Sequence, residues 1–220
     1  IAASAYHYGA ASDEDSLLAI LVRSGVGGAL ISHGNVFLNG TATALELGRT
    51  SVYAAHAATG TSDPVPERRE STAADGANSS GAATEDQPQP LEAILAEQPM
   101  LARLQQAYQV QSWTDAETMV TLEQAETALA EPLAALATTI RNLYHIFHPQ
   151  AVLLISRFQI LADLLGRTAQ RALPDRTVIP MVYDPVQACY GSTDLVFKWF
   201  FAGGSAPGRN GTGPSLPPNG

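Results

Sequence analysis

Arg23-Ser24-Gly25-Val26-Gly27-Gly28 is the segment whose residue types come closest to a ligand-binding turn. Ser24, Gly25, Gly27 and Gly28 lie between two expected strands, where small residues let backbone N–H groups approach a phosphate or a sugar unobstructed. The same glycines also serve a plain hairpin. A Walker loop is excluded, because no Gly-Lys-Ser/Thr follows and no helix opens there. His145 and His148 stand three apart at an expected helix end, a spacing that can hold a metal ion, but no third ligand accompanies them. His7, His33 and His56 are scattered, Asp13-Glu14-Asp15 reads as a solvated loop, and no Ser/His/Asp set assembles from the sequence. Asn39-Gly-Thr, Asn78-Ser-Ser and Asn210-Gly-Thr match the glycosylation triplet, which matters only in a secreted chain.

The elements that must hold these residues are bounded by composition. The chain has 220 residues, and 45% of them are hydrophobic, enough to bury one substantial core. Twelve Lys+Arg against 21 Asp+Glu give a formal net charge of −9, which repels phosphate backbones and anionic lipid headgroups. This stretch alone should bind neither nucleic acid nor membrane. Its single cysteine, Cys189, excludes a disulfide within the chain and every multi-cysteine metal site, and fits a cytoplasmic location. No apolar run approaches the roughly 18 residues of a membrane span, and no secretory signal opens the chain. IAASAYHYG reads as the second half of a helix ending at Gly9, so further residues are expected upstream of Ile1.

Residues 59–90 hold Gly, Ser, Ala, Pro and acids with Val65 as the sole large aliphatic, and read as a disordered insert. Residues 203–220 read as a frayed tail. Between them, residues 1–58 and 91–202 should form a single lobe. Leu17 to Arg23, Gly28 to Ser32 and Asn35 to Leu38 are three short strands joined by tight turns, hence antiparallel. A first helix follows from Leu91 to Tyr108, interrupted by Pro99. A second starts at Thr114 or Asp115, carries Met119 through Phe147 on a long apolar face, and should bend at Pro132. Ala151 to Ile155 has the continuous hydrophobicity of a strand buried on both faces. A helix over about Ile160–Leu173, a strand over Thr177–Val182 and a helix over about Tyr190–Phe201 complete the chain. The Phe197, Trp199, Phe200 and Phe201 cluster of that last helix suits a core or dimer contact. The fold class is α/β: a mixed sheet with an antiparallel β-β-β meander followed by α-α-β-α-β-α, the pattern of a ribonuclease-H-like, actin-like ATPase lobe.

LVRSGVGGALISHGNVFLNG followed by ALELGRTSV resembles the second lobe of the ROK family of sugar kinases and sugar-responsive repressors. That family runs a strand into a GTGxGxG-like turn, a second strand, a G-x-x-x-x-G hairpin and an E-x-G-H-x-x-V segment. Pro90-Leu91-Glu92-Ala93 resembles the end of its C-x-C-G-x-x-G-C-x-E motif. LYHIFHPQAVLLI resembles the helix, turn and strand before its nucleotide-base site, and AASAYHYG the helix after its catalytic Asn-Asp pair. The resemblance implies that Glu46 and Glu92 accept hydrogen bonds from sugar hydroxyls, with Arg49 between them and able to pair with either acid or with an anionic ligand. Residue by residue, an ordinary surface Glu46–Arg49 pair and a Glu92 favoured by a helix dipole remain open.

The departures from that pattern bear on activity. The motif's zinc-ligating His is Arg49, its cysteines are replaced by the insert, and no zinc cofactor is expected. The first Gly of the phosphate turn is Arg23, its last is Ala29, and the Gly-Gly beside the adenine is Ser156-Arg157. Long side chains there should crowd a nucleotide, so ATP is expected only if the chain is a divergent sugar kinase. The favoured expectation is the sugar-sensing lobe of a ROK-like transcriptional regulator without catalytic residues of its own. Its ligand would be a sugar or sugar phosphate, its DNA contact would lie in a domain upstream, and a homodimer is the default.

Overall fold

The computed structural model describes residues 16–32, 35–37, 45–52, 88–186 and 188–189. Strands β1 (Ser16–Val22), β2 (Val26–Ser32) and β3 (Asn35–Phe37) form the antiparallel meander. A 3-10 turn (Leu47–Arg49) and strand β4 (Ser51–Val52) follow, and β4 pairs with β5 (Gln89–Pro90). Helices α1 (Leu91–Leu95), α2 (Glu97–Tyr108), α3 (Trp113–Met119), α4 (Leu122–Ala128) and α5 (Ala130–Phe147) lead into β6 (Ala151–Ser156). Helix α6 (Gln159–Ala172) crosses to β7 (Thr177–Val182).

The main sheet has the order β3-β2-β1-β6-β7, with β6 parallel to both β1 and β7. All six residues of β6 are buried, as its unbroken hydrophobic run requires of a strand covered on both faces. Leu18, Ile20, Val22, Val152 and Leu154 point into the large core beneath the helices, while Leu17, Ala19, Ile31, Leu153 and Ile155 form a smaller cluster on the other face. Pro180 lies in β7, at the end of the strand order, where a missing N–H is tolerated. It packs so closely on α6 that a Cβ at Gly166 would stand 2.8 Å from its ring.

Several expected boundaries move. The long second helix is three helices. Its breaks are local: Thr121 caps α4 in a reciprocal box with Gln124, and Ser112 caps α3 through Asp115 N–H at 3.1 Å. Pro132 is the third residue of α5, where its missing N–H has no carbonyl to lose, so it bends nothing. Met119, expected on the apolar face, is exposed, because the chain turns at Val120. The interruption assigned to Pro99 falls at Ala96, whose extended backbone separates α1 from α2. The insert expected to reach Pro90 ends earlier, since Gln89–Pro90 already pairs with Ser51–Val52. The remainder of that insert, the Tyr190–Phe201 helix with its aromatic cluster, the tail, the Asn39, Asn78 and Asn210 triplets and residues 1–15, His33 and His56 lie outside the described residues.

Two consequences position the site. The carboxyl ends of β1, β6 and β7 lie side by side, and Arg23, Arg157 and Tyr183 leave them. The β1–β2 turn meets the 3-10 turn, because Gly28 and Leu45 exchange both backbone hydrogen bonds at 2.9 Å.

Candidate functional site

Glu46 precedes the 3-10 turn and Arg49 ends it, so the two side chains meet at i,i+3 with Nε and Oε2 3.6 Å apart. Their side chains are 63% and 78% exposed respectively, so this pair is screened by water and free to exchange partners. Leu47 anchors the turn instead: it is buried against Gly28, where a Cβ would stand 2.5 Å from its Cδ1. Leu91 N–H donates to the Thr50 carbonyl at 2.8 Å, which hangs α1 from the same turn and puts Glu92 in that helix's first turn.

Glu92 Oε2 faces both Gly25 of the β1–β2 turn and Gly48 of the 3-10 turn. The structure thereby brings Glu46, Arg49, Glu92 and Gly25 into one neighbourhood. Ser24 is exposed at the tip of the turn. Gly28 is occupied in seating Leu47, whereas a Cβ at Gly27 would meet nothing within 4 Å. Of the turn's glycines, two make room for side chains from elsewhere in the chain and one faces open space.

A second constellation lies at the strand ends. Arg157 donates through Nε to Glu97 Oε1 and Oε2 at 3.0 and 3.1 Å, and through Nη2 to Oε2 again. The Glu97 side chain is only 2% exposed, and the hydrogen bonds to it hold the Arg157 guanidinium above the usual arginine pKa. Glu97 N–H donates to the Arg23 carbonyl at 2.8 Å, and Trp113 Nε1 to the Glu97 carbonyl at 3.2 Å. Trp113 stacks on Phe158 at 5.4 Å, and Arg157 lies over that ring at 5.3 Å. Arg23 lies over the Tyr183 ring at 4.7 Å, while Tyr183 N–H donates to the Ser156 carbonyl at 2.6 Å. At the start of α6, Gln159 N–H donates to Glu117 at 2.7 Å, the place a helix otherwise offers to an anion. Both long side chains expected to crowd a nucleotide are thus held down by partners of this same chain.

Sequence reasoning did not single out Glu97 or Trp113. The only available signal for Glu97 was an acid inside an apolar stretch, Ile94-Leu95-Ala96 before it and Met100-Leu101 after it. His145 and His148 rest edge-on against Tyr144 at 5.6 and 5.5 Å, and among the described residues no three His, Cys, Asp or Glu gather as a metal site. A groove of about 400 Å³ runs between α5 and the 3-10 turn, bounded by Leu47, Thr50, Val52, Thr139 and Leu143. Among the described residues no helix is long and apolar enough to cross a membrane.

A five-stranded mixed sheet of this order is the architecture of the ribonuclease-H-like class to which actin-like ATPases belong. Within that class the chain belongs to the ROK family, whose model matches residues 1–190. Its fold is similar to a ROK hexokinase from Thermus thermophilus, at 17% identity and TM-score 0.58, covering 87% of this chain and 62% of that one. It is also similar to a ROK family glucokinase from Streptomyces griseus solved with glucose and AMPPNP, at 14% identity and TM-score 0.60, covering 88% and 65%. A ROK family transcriptional regulator described as a homologue of the E. coli MLC protein shares 15% identity and TM-score 0.54, covering 90% and 52%. The likeness to these three is one of fold, and the chain spans less than two thirds of each. No curated protein sequence matches it.

Proposed function

We propose that this chain is the effector-sensing lobe of a ROK-type transcriptional regulator that binds a sugar or sugar phosphate and does not transfer phosphate. The observation that carries the reading is the pair that Arg157 makes with the enclosed Glu97 carboxylate. In open α/β sheets, ligands occupy the crevice beyond the carboxyl ends of the strands. Here that crevice is spanned by a bidentate ion pair, with Arg23 on Tyr183 beside it. A nucleotide would have to displace a guanidinium from a buried carboxylate, which costs far more than displacing water.

The acid turn is in the opposite condition. Glu46 and Glu92 are both exposed carboxylates, which form stronger hydrogen bonds to hydroxyls than neutral acceptors do, and Arg49 is close enough to Glu46 to exchange it for an anionic substituent of the ligand. Sugar binding would then shift the balance between two arrangements of a longer protein, whose DNA contact lies outside this acidic segment, with a homodimer as the working assembly. A divergent ATP-dependent sugar kinase is the second reading. It draws on the open space at Gly27 and on the two kinases among the fold neighbours.

The test uses the full-length protein. A hexose that raises its melting temperature, with no shift on adding ATP and magnesium and no sugar-dependent ATP consumption, is the expected result. Sugar-dependent ATP consumption would overturn the regulator reading in favour of the kinase.

A further inference from the structure

Gly48 lies buried in the middle of the 3-10 turn, between Glu46 and Arg49. A Cβ there would stand 2.7 Å from Glu92 Oε2, 2.9 Å from the Val26 carbonyl oxygen and 3.0 Å from Glu92 Cβ. Oε2 is the end of a flexible side chain and can retreat. The Val26 carbonyl cannot, since Val26 is paired with Val22 at the closing end of the β1–β2 hairpin. A Cβ at Gly25 would approach the same Oε2 from the neighbouring turn, at 3.2 Å. The Glu92 carboxylate therefore lies against the bare backbone of two glycines from two different turns, in space that a side chain at either would take. No hydrogen bond or ion pair from the described residues holds it there.

We propose that Gly48 and Gly25 are positioning residues for Glu92, and that the missing side chains at these two places decide which ligand hydroxyl Glu92 reaches. The inference rests on the reading of the acid turn as a sugar site. It gives the glycines of the two turns a task separate from phosphate binding. A carboxylate that settles against two bare backbones, with its oxygens uncommitted, keeps its acceptor capacity for a ligand at a place that a side chain on either turn would deny it. The place the carboxylate takes over the two turns then translates into discrimination between sugars that differ in the configuration of one hydroxyl.

The effects should be graded by distance. Gly48→Ala must push Glu92 aside and Gly25→Ala needs only a few tenths of an ångström of yielding, while Gln106→Ala, at an exposed position of α2, serves as the control. In the full-length protein, calorimetry with glucose, mannose and galactose should show Gly48→Ala losing about tenfold or more in affinity for the preferred sugar, the scale of one charge-assisted hydrogen bond. The ratio of affinities among the three sugars should change with it. Gly25→Ala should do the same more weakly, and Gln106→Ala should match wild type. A purely structural role for Gly48 would lower all three affinities by one factor and leave the ratio alone, which would overturn the proposal.

A second readout needs no ligand. The ¹³C carboxyl resonance of Glu92, assigned through Glu92→Gln, should move in Gly48→Ala and in Gly25→Ala but not in Gln106→Ala. An unmoved resonance would overturn the positioning role even if sugars bind. A moved resonance in a protein that binds none of the sugars would keep the positioning role and remove the sugar reading. Should Gly48→Ala fail to fold, Gly25→Ala against Gln106→Ala carries the same comparison.

Discussion

Two carboxylate–guanidinium pairs in this chain have the same chemistry and opposite fates. Glu46–Arg49 meets at 3.6 Å on a turn where both side chains are largely in water. Glu97–Arg157 meets bidentate, with the carboxylate almost wholly enclosed under Trp113 and Phe158. Water supplies alternative partners to the first pair at almost no cost, so the pair adds little to stability and its groups stay available to a ligand. Enclosure removes those alternatives from the second, so neither partner can leave without stranding a charge. The difference separates a turn whose charged groups face water from strand ends whose carboxylate is enclosed, and the regulator reading proposed above places the ligand at the first of these.

The largest expected effect breaks the second pair. Arg157→Ala leaves Glu97 enclosed with no counter-charge and should destabilise the protein by about 3 kcal/mol, the low end of the range for broken buried pairs, since Arg157 is itself 45% exposed. Chemical denaturation measures it. Loss of less than about 0.5 kcal/mol would show that water reaches Glu97 readily and would erase the contrast between the two regions. Next comes the ligand. At a sugar concentration of about 100 Kd, wild-type full-length protein should gain about 2.7 kcal/mol, and Glu46→Ala should lose nearly all of that gain. Unchanged stabilisation in Glu46→Ala would remove Glu46 from the site. Smaller still, Arg49→Ala without ligand should shift stability by about 0.2–1 kcal/mol at low salt, and by nothing measurable in 1 M salt, where charges in solvent are screened within about 3 Å. A larger or salt-independent loss would mean that the first pair is not as open as its exposure indicates.

Part of this contrast was legible in the sequence. The β1 and β6 runs, LLAILV and AVLLI, declare strands, the second of them buried on both faces, because short uninterrupted apolar segments leave few alternatives, and β7 begins and ends where its residues indicate. The α3–α4–α5 stretch misleads for the opposite reason. Its apolar spacing continues across the breaks, and the breaks are written in capping side chains, Ser112 and the Thr121–Gln124 box, that hydrophobic periodicity does not register. Glu46, Arg49 and Glu92 were connected only through the family resemblance, and their meeting depends on the Thr50–Leu91 hydrogen bond that closes the chain on either side of residues 53–87. Glu97 escaped notice because its partner lies 60 residues away. No local pattern distinguishes an acid about to be enclosed from one at a solvated helix start.

A third pair tests whether exposure grades the behaviour continuously. Arg171 donates to Glu126 across α6 and α4, and here the guanidinium is mostly exposed and the carboxylate mostly covered, intermediate between the other two pairs. The hydrogen bond from Arg171 holds the Glu126 carboxyl below the usual carboxylate range, with smaller help from the Arg171 and Arg167 charges against the opposing effect of burial. A carboxyl whose folded pKa is depressed contributes stability above its unfolded value, and that contribution is lost as pH falls through the folded one. Wild type should therefore exceed Glu126→Gln in stability at pH 7, by less than Arg157→Ala loses and more than Arg49→Ala loses. The excess should vanish below the ordinary carboxylate range, where Glu126 is as neutral as glutamine. Denaturation curves of the two proteins at descending pH read this directly. A difference that stays constant into acid would show that Glu126 does not titrate with the pair, and that covering the carboxylate, and not its charge, accounts for the middle position.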